Sequence, residues 1–556
     1  MGRSPRTTAT RRGRWGSASP RLLLDCSAPT RPLKGATEML FHSPWFSLQP
    51  YAEVPLTDLL APSAERFRDK PALITPEGNG YTFGEAWQAS RRLGRHLQDA
   101  GIQKGDRIAI LSANCPEYFV AFYGTLFAGG VVTTLNPLYK EREVLHQLED
   151  CGARAAFAMG PLQPLVHGVR EHLPELRHVF AIEDVWSLAA EATGDPNPIA
   201  FNPKEDLAAL PYSSGTTGLP KGVMLSHYNL VCNVRQTLST GMSSSYSVLL
   251  DFLPFYHIYG MVVLMACGFA AGATQVIMSR FDPTLCLELV QKHKVTNLFA
   301  VPPALLALAN FPSTDNYDTS SLKMIMSGAA PLPPEVAQAS ARALRTIVLQ
   351  GYGMTETSPV TNVNPMNRIK DATVGPPIAD TVEKVVSLDD GRELDVGEVG
   401  ELLAFGPQVM QGYWQRPEDT AETLLRGGGI RTGDIVQCDE EGYVTILDRK
   451  KEMIKYKGYQ IAPAELEALL MEHPAVMDSA VIPKRDADSG EVPKAFILLR
   501  QGQEASSEEL MRFVEERVAP YKKVREIEFV AAIPKTPSGK ILRRELIEQE
   551  RAKTPG

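Results

Sequence analysis

The chain has 556 residues, more than one compact core holds, so several structural units are expected. Hydrophobic residues make up 44% and charged residues 22%, which excludes a disordered chain, a collagen and a coiled-coil rod. The 57 Lys and Arg stand against 65 Asp and Glu, a formal net charge of −8, so there is no general basic field to hold nucleic acid.

Residues 1–38 differ from the rest. Arg3, Arg6, Arg11, Arg12, Arg14, Arg21 and Arg31 stand among Ser, Thr and Pro, and Asp25 is the one acid before Glu38. Such a segment buries too little apolar surface to offset its ordering entropy. It reads as a disordered leader, or as a start placed too early with Met39 as the true first residue. An Arg-rich, acid-poor stretch also fits a transit peptide.

From about residue 80 the pattern is strand–helix repeated. Thr82-Phe-Gly-Glu85 is a capping box that opens an amphipathic helix ending at Ala100-Gly101. Arg107–Leu111 is a short buried strand, and Pro116 opens the next helix. Further short apolar runs lie at 131–135, 155–158, 179–182, 298–301, 324–326 and 347–349. The expected fold is α/β: a large N-terminal domain of mostly parallel sheets covered on both faces. Two uncharged stretches, 119–139 and 252–279, reach membrane-spanning length. Glycine breaks and flanking strand–helix units make both read as buried core rather than transmembrane spans. After about residue 370 the strands alternate, predicting a small antiparallel or barrel-like segment. Asp448-Arg-Lys-Lys451 reads as a charged break, followed by a small mobile α+β domain. The expected division is a leader (1–38), an N-terminal domain (39–448) and a C-terminal domain (449–556). The seven cysteines are scattered without a CxxC pair or a Cys/His cluster, which argues against a zinc site or a disulfide framework and for a reducing cytosol.

The sharpest local feature is Tyr212-Ser-Ser-Gly-Thr-Thr-Gly-Leu-Pro-Lys-Gly222. Its glycines let the backbone approach a ligand closely, its hydroxyls and N–H groups can wrap an anion, and Lys221 adds a point charge. It is a phosphate cradle by composition but not a Walker A loop, because Pro220 precedes Lys221 and Gly222 follows it.

The segment YSSGTTGLPKGVMLSH resembles the AMP-binding signature of the adenylate-forming superfamily. That superfamily includes acyl-CoA synthetases, adenylation domains of peptide synthetases and firefly-type luciferases. The resemblance continues in order through Gly351-Tyr-Gly-Met-Thr-Glu-Thr357, Arg431-Thr-Gly-Asp434, Asp448-Arg449 and Pro537-Ser-Gly-Lys-Ile541, covering about residues 45–550.

The resemblance implies roles that the chemistry supports. Ser213, Ser214, Gly215, Thr216, Thr217 and Lys221 hold the triphosphate. Ala329, Gln350, Gly351 and Tyr352 bind the nucleotide, and Thr355 hydrogen-bonds the α-phosphate. Glu356 offers Mg²⁺ a hard oxygen ligand. Asp434, an acceptor-only group, suits two ribose hydroxyls, and the fork of Arg449 suits ribose or phosphate. Lys540 is the adenylation lysine. His257 lies beside the acyl carboxylate. The acyl pocket is Tyr259, Gly260, Val263, Gly328, Ala330, Pro359 and Val360, small or apolar residues that imply an apolar acid. The small domain turns about a hinge at Lys451. Lys455 and Gln460 then assist thioester formation, while Arg280, Lys457 and Gly458 contact CoA.

The expected activity is an ATP- and Mg²⁺-dependent acid:CoA ligase that uses CoA as co-substrate. HIY at 257–259 and SGAAPL resemble aryl (4-coumarate) ligases, whereas TETSPVTNVNP and GPQVMQGYWQRPEDT resemble bacterial fatty acyl ligases. The reading favours a medium- or long-chain fatty acid. The alternatives are an aryl acid, or a freestanding ligase loading a carrier protein. A cytoplasmic monomer or homodimer is expected, with peripheral membrane contact at most. No G-x-S-x-G elbow surrounds Ser213 or Ser214, which argues against a hydrolase.

Overall fold

A computed structural model describes residues 40–213, 220–450, 452–456, 459–486, 489–518, 520–536 and 539–553. The expected leader 1–38, and Ser214, Gly215, Thr216, Thr217, Lys451, Lys457 and Gly458, lie outside the described residues.

Short β-branched and apolar runs cannot cover themselves, so they pair into sheets flanked by helices. Among the described residues there are four sheets. The first is built on parallel strands Leu207–Ala209, Val131–Leu135, Arg107–Leu111, Ala153–Ala158 and His178–Ala181, extended by antiparallel Lys221–Ser226. The second runs Met324–Ser327, Asn297–Ala300, Val248–Asp251, Thr274–Ile277 and Pro71–Ile74 in parallel, with Ile347–Gly353 beyond Met324–Ser327. Antiparallel strands Val360–Val363 and Gly80–Thr82 close its two edges.

The predicted capping box is present. Thr82 accepts from Glu85 N–H at 3.2 Å and Glu85 reaches back to Thr82 N–H at 2.8 Å, starting the helix Phe83–Asp99. Arg107–Leu111 is a strand and Pro116 is the first residue of Pro116–Phe127. The two uncharged stretches meet in the core. Phe119 from one and Phe269 from the other have ring centres 4.6 Å apart, and Phe83 packs on Phe269 at 4.6 Å. Aromatic pairs of this kind contribute about 0.5–1.5 kcal/mol each beyond their burial. No helix among the described residues is long and apolar enough to cross a membrane.

The third sheet is antiparallel and joins Val382–Val386, Val399–Phe405, Gly429–Cys438 and Val444–Arg449, with Phe41–His42 and Leu424–Leu425 at its edges. One expectation changes here. Asp448 and Arg449 are the last residues of Val444–Arg449, not a charged break, and Asp448 is buried. Their charges are tolerated because each has a partner: Arg449 pairs with Asp434, and Asp448 accepts from Ala464 N–H at 2.8 Å. The fourth sheet, beyond residue 453, joins Ile454–Tyr456, Tyr459–Ile461, Val476–Asp486, Gly490–Leu499 and Glu526–Phe529 over its own apolar core.

Candidate active site

The adjacent strands Gly429–Cys438 and Val444–Arg449 place Asp434 directly opposite Arg449. The Arg449 Nε lies 2.6 Å from Asp434 Oδ1, and that carboxylate is only 2% exposed. The Tyr352 hydroxyl donates to its other oxygen. Burial pushes the Asp434 carboxyl up, while Arg449 and the Tyr352 hydroxyl oppose the shift. Asp434 in turn holds the Arg449 guanidinium above its ordinary range.

Lys540 reaches the same cluster from the far end of the chain. Its loop is tight: Thr536 N–H donates to Lys540 O at 2.8 Å, and Lys540 N–H to Thr536 Oγ1 at 3.0 Å. Gly539 has φ +84°, and a Cβ there would lie 2.7 Å from Pro303 Cδ, so the loop seats against the helix Pro302–Ala309 only as glycine. Burial lowers the Lys540 pKa first, and Arg449 lowers it further; Glu452 and Asp434 pull the other way. Just beyond, Arg543 reaches both carboxylate oxygens of Glu467, at 2.8 and 2.7 Å, and also pairs with Glu452.

On the opposite side, the strand pair Tyr212–Ser213 and Lys221–Ser226 sets Ser213 across from Lys221, so the two ends of the Ser/Thr/Gly segment meet. Ser213 Oγ donates to Glu356 Oε1 at 3.0 Å, and the Tyr413 hydroxyl donates to the same oxygen at 2.9 Å. Glu356 follows Thr355 in a single 3-10 turn and is 7% exposed. Both bonds fall on Oε1, so Oε2 remains for a hard cation; the carboxylate fits Mg²⁺. Among the described residues no group of three or more His, Cys, Asp and Glu could hold a metal ion. Lys221 pairs with Asp419 and lies 5.4 Å from the Tyr413 ring centre. Sequence reasoning does not single out Tyr413 and Asp419. Their signal is the GYWQRPEDT segment, whose resemblance speaks only to substrate class.

The residues expected to form the acyl wall begin at His257. Tyr259 N–H donates to His257 Nδ1 at 3.2 Å, so the ring proton sits on Nε2. Burial lowers the His257 pKa to about 4, keeping the ring neutral. A π-helix, Tyr259–Ala266, follows directly, a form that often marks functional sites. A Cβ on Gly260 would fall 2.2 Å from Pro254 O, so only glycine permits this turn. Tyr259 donates to Met326 O at 3.1 Å and its ring lies against Gly328. Val263 and Val360 are buried, Ala330 is half-buried, and Pro359 O accepts from Met354 N–H at 3.0 Å. Ala329 has φ +70°, an uncommon conformation for a residue with a Cβ.

Nothing in the sequence points to Asn114, yet it holds the loop that carries His257. Its amide donates to Asp251 O (3.2 Å) and Leu253 O (2.8 Å), and its carbonyl accepts from Phe255 N–H (2.8 Å). Thr134 adds a bond to Tyr256 O at 2.7 Å.

Not every expected residue joins this cluster. Gln350 and Gly351 lie on the strand Ile347–Gly353 beside Tyr352. Lys455 and Gln460 are direct partners across two short strands of the fourth sheet. Arg280 is exposed beyond the strand Thr274–Ile277, and no hydrogen bond or ion pair among the described residues ties it to the cleft.

Two family models match the chain: AMP-binding enzyme over residues 60–414, and AMP-binding enzyme C-terminal domain over residues 465–540. The chain therefore belongs to the AMP-binding enzyme family. Within it, the chain is an AMP-forming acid–CoA ligase. A 4-coumarate–CoA ligase of Pinus taeda is 38% identical over 93% of this chain and 98% of that one. A long-chain-fatty-acid–CoA ligase of Bacillus subtilis (strain 168) is 35% identical over 92% and 99%. Among solved structures, ATP-bound MatB from Rhodopseudomonas palustris superposes with a TM-score of 0.83 at 28% identity, covering 90% of this chain and 100% of that one. A Mycobacterium tuberculosis fatty acyl CoA synthetase superposes at 0.72 and 28% identity, covering 90% and 99%.

Proposed function

We propose that this ligase activates a medium- or long-chain fatty acid as acyl-AMP and passes the acyl group to the thiol of CoA. What supports an apolar acid is the chemistry of the residues expected to line the acyl pocket: Tyr259, Gly260, Val263, Gly328 and Val360 carry neither a carboxylate nor an ammonium. An aryl acid is the second reading. It is favoured by the Tyr259 hydroxyl held on Met326 O, which keeps an aromatic ring against Gly328 and suits a flat substrate.

A carboxylate is a poor acyl donor because its leaving group would be oxide. Its oxygen attacks the α-phosphorus of ATP, the bond to the β-phosphate oxygen breaks, and pyrophosphate leaves. Neutral His257 offers its Nε2 proton to the carboxylate and orients it. Lys540 and Thr355 stabilise charge on the α-phosphate, Asp434 and Arg449 hold the ribose, and Ser213, Ser214, Gly215, Thr216, Thr217 and Lys221 hold the departing phosphates. Mg²⁺ on Glu356 would supply charge neutralisation between the phosphates. In the second step the CoA sulfur bonds to the acyl carbon, the thiol proton is lost, and AMP departs. We assign that step to the small domain after rotation about Lys451, with Lys455 and Gln460 assisting and Arg280, Lys457 and Gly458 along the CoA path. The six cysteines described are free, which supports a reducing cytoplasm.

The test is thioester formation with CoA across a panel of saturated fatty acids and cinnamic acids, alongside a carrier protein as acceptor. A preference for cinnamic acids would replace the fatty-acid reading. Transfer to the carrier without transfer to CoA would replace the acceptor.

A further inference from the structure

We infer that Asp419 is the resident counter-ion of Lys221, exchanged for nucleotide phosphate on each turnover, and that it sets the enzyme's affinity for ATP and pyrophosphate. The inference rests on the ligase reading in which Lys221 holds the triphosphate.

The fold brings the two residues together by backbone register. Lys221 begins the strand Lys221–Ser226, which pairs antiparallel with Gly412–Tyr413. Trp414 N–H donates to Gly222 O at 2.8 Å and fixes that alignment. The turn that follows is closed by Tyr413 N–H donating to Thr420 Oγ1 at 2.9 Å, which sets the helix Pro417–Thr423 beside the lysine. Asp419 then meets the Lys221 ammonium, with the two side chains 34% and 20% exposed.

The surrounding charges make this pairing selective. The neighbouring cation, Arg416, is held by Asp150 at 2.7 Å. The neighbouring acid, Glu418, is exposed. On its other side Lys221 lies over the Tyr413 ring, whose hydroxyl is bound to Glu356. The lysine therefore stands between two carboxylates, kept from one by an aromatic ring and joined to the other.

A polyanion arriving at Lys221 meets Asp419 as a like charge. Lys221 exchanges one anion for another, so its ammonium is never left unpaired in a partly buried site. The reverse exchange lets Asp419 recapture the lysine as pyrophosphate leaves. The carboxylate weakens the ground-state grip on the triphosphate and speeds product departure.

The experiment uses the full chain with Asp419→Asn, and Asp419→Ala as a second replacement should Asn disturb the turn. ATP–pyrophosphate exchange and pyrophosphate inhibition are measured with the preferred acid at two ionic strengths. The KM for ATP and the inhibition constant for pyrophosphate should both fall about threefold to tenfold, the range expected for a partly exposed charge. The KM for the acid should hold, and the effect should shrink at high salt. In a Lys221→Met background the Asp419 substitution should have no further effect on either constant. Glu418→Gln, one residue away, should change neither. A rise in the KM for ATP, or no change in a wild type that exchanges, overturns the counter-ion role alone. A wild type that fails to exchange ATP and pyrophosphate overturns the ligase reading itself.

Discussion

Asp434 and Arg449 face each other across two antiparallel strands, Oδ1 to Nε 2.6 Å apart, with the Tyr352 hydroxyl on the second carboxylate oxygen. This geometry leaves Asp434 a preorganised buried acceptor, as its proposed role at the nucleotide requires. Asp434→Asn should raise the KM for ATP at least about tenfold, since one charge-assisted bond contributes about 1.5–3 kcal/mol. Asp434→Ala should also lower stability by about 2 kcal/mol, less than in a dry pair because Arg449 is partly open to water. ATP–pyrophosphate exchange and thermal melts check both effects.

Lys540 should reveal its burial in a pH profile. Burial and Arg449 lower its pKa, so its ammonium is lost at lower pH than that of an ordinary lysine. The kcat/KM for ATP, which reports the free enzyme, should therefore fall along an alkaline limb that begins below the usual lysine range. Lys540→Arg should move that limb upward. Lys540→Ala should abolish exchange while CoA capture of supplied acyl-AMP survives; equal loss of both steps refutes the assignment.

Asn114 should act through His257. Asn114→Ala removes three buried hydrogen bonds to the loop at 251–255, each contributing about 1 kcal/mol. The KM for the acid should rise about tenfold while the KM for ATP holds. Asn114→Asp keeps the acceptor for Phe255 N–H and loses the donors, so it should fall between the two. Parallel changes in both KM values would mean a general loss of packing.

Glu383 should make stability depend on pH. Its side chain is buried, and desolvation raises its pKa to about 8, opposed by the Asn362 amide at 3.0 Å. An unfolded glutamate ionises near 4.3. Between these values the folded chain holds a proton that the unfolded chain has released. The stabilisation is complete below the lower value and is lost as pH rises through the higher one, by at most about 1.4 kcal/mol per pH unit. Glu383→Gln cannot ionise, so its melting temperature should gain on the wild type from pH 5 to pH 8. A constant gap would show that Glu383 titrates normally.

Elements built from neighbours along the chain are legible in the sequence alone. Thr82 and Glu85 are three apart, so their capping box needs only one turn of helix. Pro116 opens its helix for a reason internal to the residue. The Asp448-Arg449 pair is different, because charge without a visible partner looks like a solvated break. The partner of Arg449 lies on the preceding strand, and that of Asp448 is a backbone N–H.

The residue order alone determined which chemical groups this protein has: a Gly/Ser/Thr segment ending in Lys221, an acid at Glu356, an acceptor at Asp434 and a lysine at Lys540. Tertiary structure decided which of them come together. Ser213 and Tyr413 meet on Glu356, Asp419 meets Lys221, and Lys540 reaches the field of Asp434 and Arg449. The physical reason is that a charge or hydrogen bond acts over a few ångströms whatever the separation along the chain, and only strand register and packing bring residues that far apart within that range.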